Sequence, residues 1–277
     1  MDWRVLLVCL ILLTSCNDEG NPAVTDLDED IEREGTSPGA PLCSRGALPK
    51  GIVRDQDFLN FPNFGYRGIG RCRGHALLSQ RLLYFMRFEP ESLREWDCEL
   101  DALDCQAKLR AKLDSIYNNQ IVKIHGYKNL QELSSELALR SVLRSEIIST
   151  PHRYSATPIL LNPSLPRQPA LFKEMKRRVR LNHLTYVALK GEEVGAHGVL
   201  IYKLLGANRL CVRDPNIIPE QGVEDCQSFF TLEGDAIFYT RAQRGVSRIM
   251  AEIFSDEEVR LNSFRQSLCL ARKQGYL

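Results

Sequence analysis

"EVGAHGVLIYKLLGANRLCVRDPN", residues 193–216, holds two short runs rich in β-branched and aromatic residues, "HGVLIYKLLG" and "RLCVRDPN", joined through "GAN". Runs of that length broken by a Gly-Ala-Asn turn read as an antiparallel hairpin. His197 opens the first strand and Asp214 closes the second, so antiparallel pairing returns the two ends to one place. The same texture precedes the hairpin in "HLTYVALK", from His183, and follows it in "DAIFYTRA", from Asp235. Upstream the pattern is helical. "CRGHALLSQRLLYFMRF" predicts a buried helix from Cys72 to about Phe88, stopped by Pro90. "ELDALDCQAKLRAKLDSIYNNQ" and "NLQELSSELALRSVLRSEIIST" predict two more, and "ALFKEMKRRVRLN" a short one with a basic exposed side. "PHRYSATPILLNPSLPRQPA" is Pro-rich and reads as irregular, and "VSRIMAEIFSDEEVRLNSFRQSLCLARKQ" returns to helical spacing. A helical half followed by a strand-rich half is an α+β chain.

The chain has 277 residues, is 44% hydrophobic and 26% charged, and carries a formal net charge of +1. Such a balance excludes a global electrostatic field aimed at nucleic acid, and the basic run Lys173 to Arg180 has no aromatic interleaving, so no nucleic-acid partner is expected. The first residues, "MDWRVLLVCLILLTSC", place Arg4 before an apolar run too short to span a bilayer in a mature protein. They read as a signal peptide over residues 1–15. Its end, Leu13-Thr14-Ser15-Cys16, resembles the lipobox of bacterial lipoproteins, which implies lipidation at Cys16, a membrane partner through that lipid, and a place in the bacterial cell envelope. Residues 16–50 are acidic and rich in Pro, Gly and Ser, as a flexible tether would be. The remaining 51–277 would form one domain, expected to be monomeric.

Export changes how the nine cysteines are read. With Cys9 removed and Cys16 lipidated, seven remain, and six of those can pair in an oxidising compartment. Cys98 with Cys105 and Cys211 with Cys226 are close enough in sequence to be candidate pairs, and Cys43 could then meet Cys269. Cys72 is the one left over. It stands where a loop carrying Gly68 and Gly70 turns into a helix, beside Arg71 and Arg73. Unpaired N–H groups at a helix start favour a thiolate. A cysteine nucleophile also needs a base and an orienter for that base. Of the five histidines, His197 has Asp214 or Asn216 returned to it by the hairpin. His183 is the rival base, His125 and His152 sit in polar, loop-like contexts, and His75 reads as a packed residue beside Cys72 rather than as half of a metal site.

In that order, "GRCRGHALLS", then "GAHGVLIYKLL", then "LCVRDPN", the residues from about 58 to 240 resemble the papain-like cysteine peptidase superfamily, whose arrangement is shared by transglutaminase-like proteins. The resemblance implies a nucleophile helix packed on a C-terminal antiparallel sheet. It also implies Cys72 as nucleophile, His197 as general base and acid, and Asp214 as orienter, with Asn216 the alternative. The family's oxyanion glutamine is absent at its usual distance, and Asn63 is the nearest amide on that loop. Arg73 and Gly74 stand where papain itself has a different step, so a divergent bacterial branch is the better match. The implied chemistry is acyl transfer on a peptide, protein or peptidoglycan-stem substrate without metal or organic cofactor. A catalytically silent binding lipoprotein and a peptidoglycan amidase are the rival readings.

Overall fold

The computed structural model describes residues 57–63, 65–66, 69–96, 98, 101–153, 168–191, 195–218, 226–241, 245–253 and 255–276. The expected signal peptide, the tether, Cys16, Cys43 and Gly68 lie outside them. No helix among the described residues is long and apolar enough to cross a membrane.

After a two-residue hairpin, β1 (Gly65–Tyr66) with β2 (Ile69–Gly70), the chain enters helix α1 (Cys72–Phe85). The helix is sheathed on nearly every side, as its mixed apolar and small residues require. Gly74 explains the closeness of one neighbour: a Cβ there would overlap the carbonyl oxygen of Ile147. Ile147 belongs to a long helix, α4 (Leu137–Arg153), and only glycine lets the two backbones approach this far. Leu77, Leu78, Leu82 and Phe85 of α1 fill a core with Leu109, Leu113, Val142 and Leu143. Leu109 and Leu113 come from α2 (Ala102–Tyr117), capped by the Asp101 carboxylate, which accepts from Asp104 N–H. Arg81, buried in this core, is satisfied by the C-terminus of α2. Its Nε donates to the Ile116 carbonyl at 2.9 Å and its NH2 to that of Tyr117 at 2.6 Å, where orphan carbonyls and the helix dipole welcome a cation.

The helix expected to reach Phe88 ends three residues early. Met86–Glu89 is instead a strand, β3, paired in parallel with β4 (Val122–His125). That pairing is non-local, and neither four-residue run announces it. His125 is therefore on a strand, its Nδ1 at 2.9 Å from Glu89 Oε2, rather than in a loop. His152 lies within α4, not in a loop, because Pro151 sits inside the last turn of that helix instead of stopping it. A short α3 (Leu130–Leu133) precedes α4, and α5 (Gln168–Arg180) follows it.

The second half is a closed, all-antiparallel barrel of six strands. Its strands are β5 (Thr185–Gly191), β6 (Gly195–Leu205), β7 (Arg209–Arg213), β8 (Phe229–Glu233), β9 (Ala236–Arg241) and β10 (Gly245–Glu252), and β10 closes back on β5. The α+β organisation is present, with a barrel in place of the expected plain sheet. The difference comes from two segments. Residues 229–233 carry no expected element, and 245–252, read as helical, form the closing strand before helix α6 (Ser255–Lys273) begins. Pairing with β9 and β5 overrides the local spacing of "VSRIMAE".

The barrel interior is apolar: Val187, Leu189, Val199, Ile201, Leu210, Val212, Phe230, Ile237 and Ile249, joined by Phe172, Met175 and Val179 of α5. A bulge in β6 between Ile201 and Lys203 keeps this consistent. Without the extra residue, the alternation from Val199 and Ile201 would turn Lys203 inward; with it, Leu204 packs on the interior core instead. The opposite face of β5 and β6, with Tyr186, Ala188, Leu200 and Tyr202, packs into the core that surrounds α1. Helix and barrel therefore share a wall, and the N-terminus of α1 arrives at the end of β6.

Candidate active site

Cys72 is the first residue of α1, and Arg71 at its N-cap offers no side-chain cap. The first-turn N–H groups are thus left for other acceptors. Cys72 is buried and is the free cysteine among the described residues. Cys98–Cys105 and Cys211–Cys226 are both disulfides, as their spacing suggests. Cys269 is also disulfide-bonded, and Cys43, its expected partner, lies outside the described residues.

His197 sits on β6 opposite Leu189 of β5, and Asp214 follows directly after β7. His197 Nε2 is 2.7 Å from Asp214 Oδ1, and both side chains are nearly inaccessible to solvent. The Cys72 thiol hydrogen-bonds the same imidazole. The hairpin thus places its two ends together as expected, and a third group reaches them from α1.

Burial alone would push the Cys72 thiol up, but its hydrogen bond to His197, the charge of that ring, and the N–H groups of Gly198 and Arg73 outweigh it and hold the thiol below its ordinary value. Burial would likewise pull His197 down, yet its hydrogen bonds to Asp214 and Cys72 raise it from 6.5 to about 9. For Asp214 burial is again the largest influence and works upward. It is overcome by His197, by the Asn216 N–H at 2.7 Å and by the Tyr239 hydroxyl at 2.7 Å, leaving the carboxyl well below the usual carboxylate range. These directions favour the thiolate at Cys72 and the imidazolium at His197, beside the carboxylate of Asp214. Such a set can attack a carbonyl through sulfur and return a proton to the leaving group from the imidazolium.

The remaining candidates are sorted by geometry. Asn216 does not contact His197 as an orienter; its N–H holds Asp214, and its Oδ1 accepts from Asn63 Nδ2 at 3.0 Å. Asn63 Oδ1 in turn accepts from the Arg71 N–H at 3.0 Å, and Asn63 N–H donates to the Pro215 carbonyl. The Asn63 amide is therefore a strap between the segment that follows β7 and the residue before Cys72. That anchors the Asn63 loop at the N-cap of α1. His75 is buried and neutral. Burial and the charge of Arg213 hold it down at about 3, and its Nε2 meets the Phe61 carbonyl at 3.0 Å. His183, the rival base, is pulled down to about 4 by burial and by Arg265, Arg178 and Arg177, a different neighbourhood from that of Cys72. No group of His, Cys, Asp and Glu suited to a metal occurs among the described residues.

Four contributors were not singled out from sequence. Gly198 gives its N–H to the thiol, and Tyr186 packs against it. Tyr239 and Arg241, on β9, meet Asp214. The "DAIFYTRA" strand is legible, but its neighbourhood depends on the barrel closing.

No family model, no curated protein and no solved structure matches this chain.

Proposed function

We propose that this chain is an envelope-anchored, cysteine peptidase-like acyl-transfer enzyme that cleaves a peptide or amide bond through Cys72, His197 and Asp214. The observation that supports this reading most is that the one free cysteine among the described residues starts a helix and hydrogen-bonds a histidine held by a buried carboxylate. A structural thiol has no need of those partners.

In the proposed reaction the Cys72 thiolate adds to the substrate carbonyl, and the developing oxyanion takes hydrogen bonds from the Cys72 N–H and the Asn63 amide. His197, already protonated, then gives its proton to the leaving amine as the C–N bond breaks, leaving an acyl-thioester. Water then gives a proton to His197 and its hydroxyl to the acyl carbon; the C–S bond breaks, and the thiolate and imidazolium are restored. Asp214 keeps the ring oriented and offsets its charge throughout. The order of motifs supports a divergent papain-like relationship, and the lipobox-like Leu13 to Cys16 supports anchoring by a lipid on Cys16.

Labelling with a thiol-directed electrophile tests the reading. Modification of Cys72 at pH 6, much faster than that of a free thiol and lost in His197→Ala, is the expected result; slow modification that is the same in both chains would refute it. Release of stem peptides from purified sacculi would identify peptidoglycan as the substrate, and rapid labelling without any such release would direct the search to protein substrates.

A further inference from the structure

The groups that hold Asp214 extend beyond the hairpin that carries it. Tyr239 and Arg241 are two residues apart on β9 and so face the same side of the strand. The Tyr239 hydroxyl donates to Asp214 Oδ2 at 2.7 Å, and Arg241 Nε lies 3.4 Å from that same oxygen. The Nε–H is not directed at the carboxylate. The Arg241 contact is thus an ion pair by charge proximity, with the guanidinium 5.9 Å from the centre of the Tyr239 ring.

Charge balance gives this contact its meaning. A thiolate at Cys72, an imidazolium at His197 and a carboxylate at Asp214 sum to one negative charge, in a place where the three residues are 7%, 3% and 1% exposed. Uncompensated buried charge is expensive, and a group so placed gives up its ionisation instead. Arg241, 8% exposed, brings the sum to zero. Among the ion pairs described, Arg241 is the cation that meets a carboxylate of the cluster, and its neighbours are engaged as follows. On α1, Arg73 faces Asp256 at 3.9 Å and His75 is neutral. Arg213, the last residue of β7, donates to the Leu59 carbonyl at 3.0 Å. Tyr186 on β5 and Tyr239 on β9 are un-ionised phenols.

We propose that Arg241 is a positioning residue that acts through Asp214: its guanidinium cancels the surplus negative charge of the buried cluster, and so lets Cys72 ionise beside His197. The inference rests on the Cys72–His197–Asp214 reading above. Its sign is fixed. Removing a cation destabilises both anions and relieves the imidazolium of a repelling neighbour, so every group in the cluster binds its proton more tightly. A residue that merely held the fold would change the amplitude of Cys72 reactivity without moving its pH dependence upward.

The test is the rate of Cys72 alkylation by iodoacetamide in the full chain, read by mass spectrometry from pH 3 to 10, for the wild type, Arg241→Gln and Arg241→Lys. In Arg241→Gln the acid limb should move up by about one pH unit, while Arg241→Lys, which keeps the charge, should stay with the wild type. An unmoved limb in folded Arg241→Gln overturns the proposal. If Arg241→Gln does not fold, Arg241→Lys decides: a wild-type limb supports the proposal and an upward-shifted one overturns it. A wild type that already titrates like an ordinary thiol overturns the triad reading itself and this inference with it. A depressed wild-type limb left unmoved in Arg241→Gln removes only the role of Arg241.

Discussion

A methyl group placed on Gly198 would lie 2.7 Å from the hydroxyl of Tyr186. The two residues face each other diagonally across β5 and β6, where Tyr186 pairs with Leu200 and Ala188 with Gly198. Gly198 also gives its N–H to the Cys72 thiol. Space at this point is therefore shared between the wall of the barrel and the start of α1. Gly198→Ala should destabilise the chain by about 1–3 kcal/mol, the usual cost of overpacking a filled site, and slow Cys72 alkylation as well. Urea unfolding together with the alkylation rate checks this; a variant matching the wild type in both would show that Tyr186 swings clear at no cost.

Asp214→Asn removes the main support of the His197 imidazolium. The pKa of His197 should fall from about 9 toward its ordinary 6.5, because burial then acts with less opposition. A pH titration of the imidazole Cε1 carbon by NMR reads this directly. An unchanged His197 pKa in the variant would mean that the thiolate alone holds the ring charged.

The thiol and the imidazole have opposite linkage to stability. His197 is raised above its unfolded value, so its contribution is complete below about 6.5 and is lost as pH rises through about 9. Cys72 is depressed from 9.0, so its contribution is complete above that value and is lost as pH falls through its folded pKa. Between about 6.5 and 9 the two trends oppose each other, so the pair's contribution to wild-type stability should vary less than that of the histidine alone. Cys72→Ser leaves only the histidine, so its stability should decline across the same window by about 1–2 kcal/mol. Unfolding at constant ionic strength, followed from pH 6 to 9.5, separates the two profiles.

Cys211 and Cys226 are 15 residues apart and close the loop that leaves β7 with Asp214 and Asn216. Opening that loop should lower stability by about 3 kcal/mol, the loop-entropy value for this length. The double variant Cys211→Ser with Cys226→Ser, compared with the wild type by thermal unfolding under non-reducing conditions, measures it. Loss of alkylation at Cys72 in a variant still folded at the assay temperature would add that the bridge also steadies Asp214.

Gly74→Ala introduces a Cβ into the carbonyl of Ile147. Backbone cannot yield as a flexible side chain does, so α1 must separate from α4, and a loss at the upper end of overpacking, about 3 kcal/mol, is expected. An alanine variant with wild-type stability would mean that the two helices slide apart freely.

His197 and Asp214 were legible because both lie within one hairpin, where strand periodicity and a Gly-Ala-Asn turn determine which ends meet. Cys72 was legible from local chemistry and from counting: a helix start favours a thiolate, and the two short-range disulfides remove its nearest competitors. Asn216 shows the limit. As a type it suits an orienter as well as Asp214 does, and only geometry turns its side chain toward Asn63 and leaves its N–H on the acid.

Neighbouring residues are enough to specify the local features: the α1 helix from its apolar spacing, the β6–β7 hairpin from its turn, and the short-range cystine pairs. Distant pairing settles the rest. Residues 245–252 carry helical spacing and yet close the barrel, because an antiparallel partner on each side pairs the backbone while burying Ile249 and Ala251 in the barrel core. The hairpin of β8 and β9 docks beside β7 on one edge and β10 on the other, and that order sets Tyr239 and Arg241 on Asp214. No run of neighbouring residues encodes that contact, since it follows from the order of six strands rather than from the preference of any one.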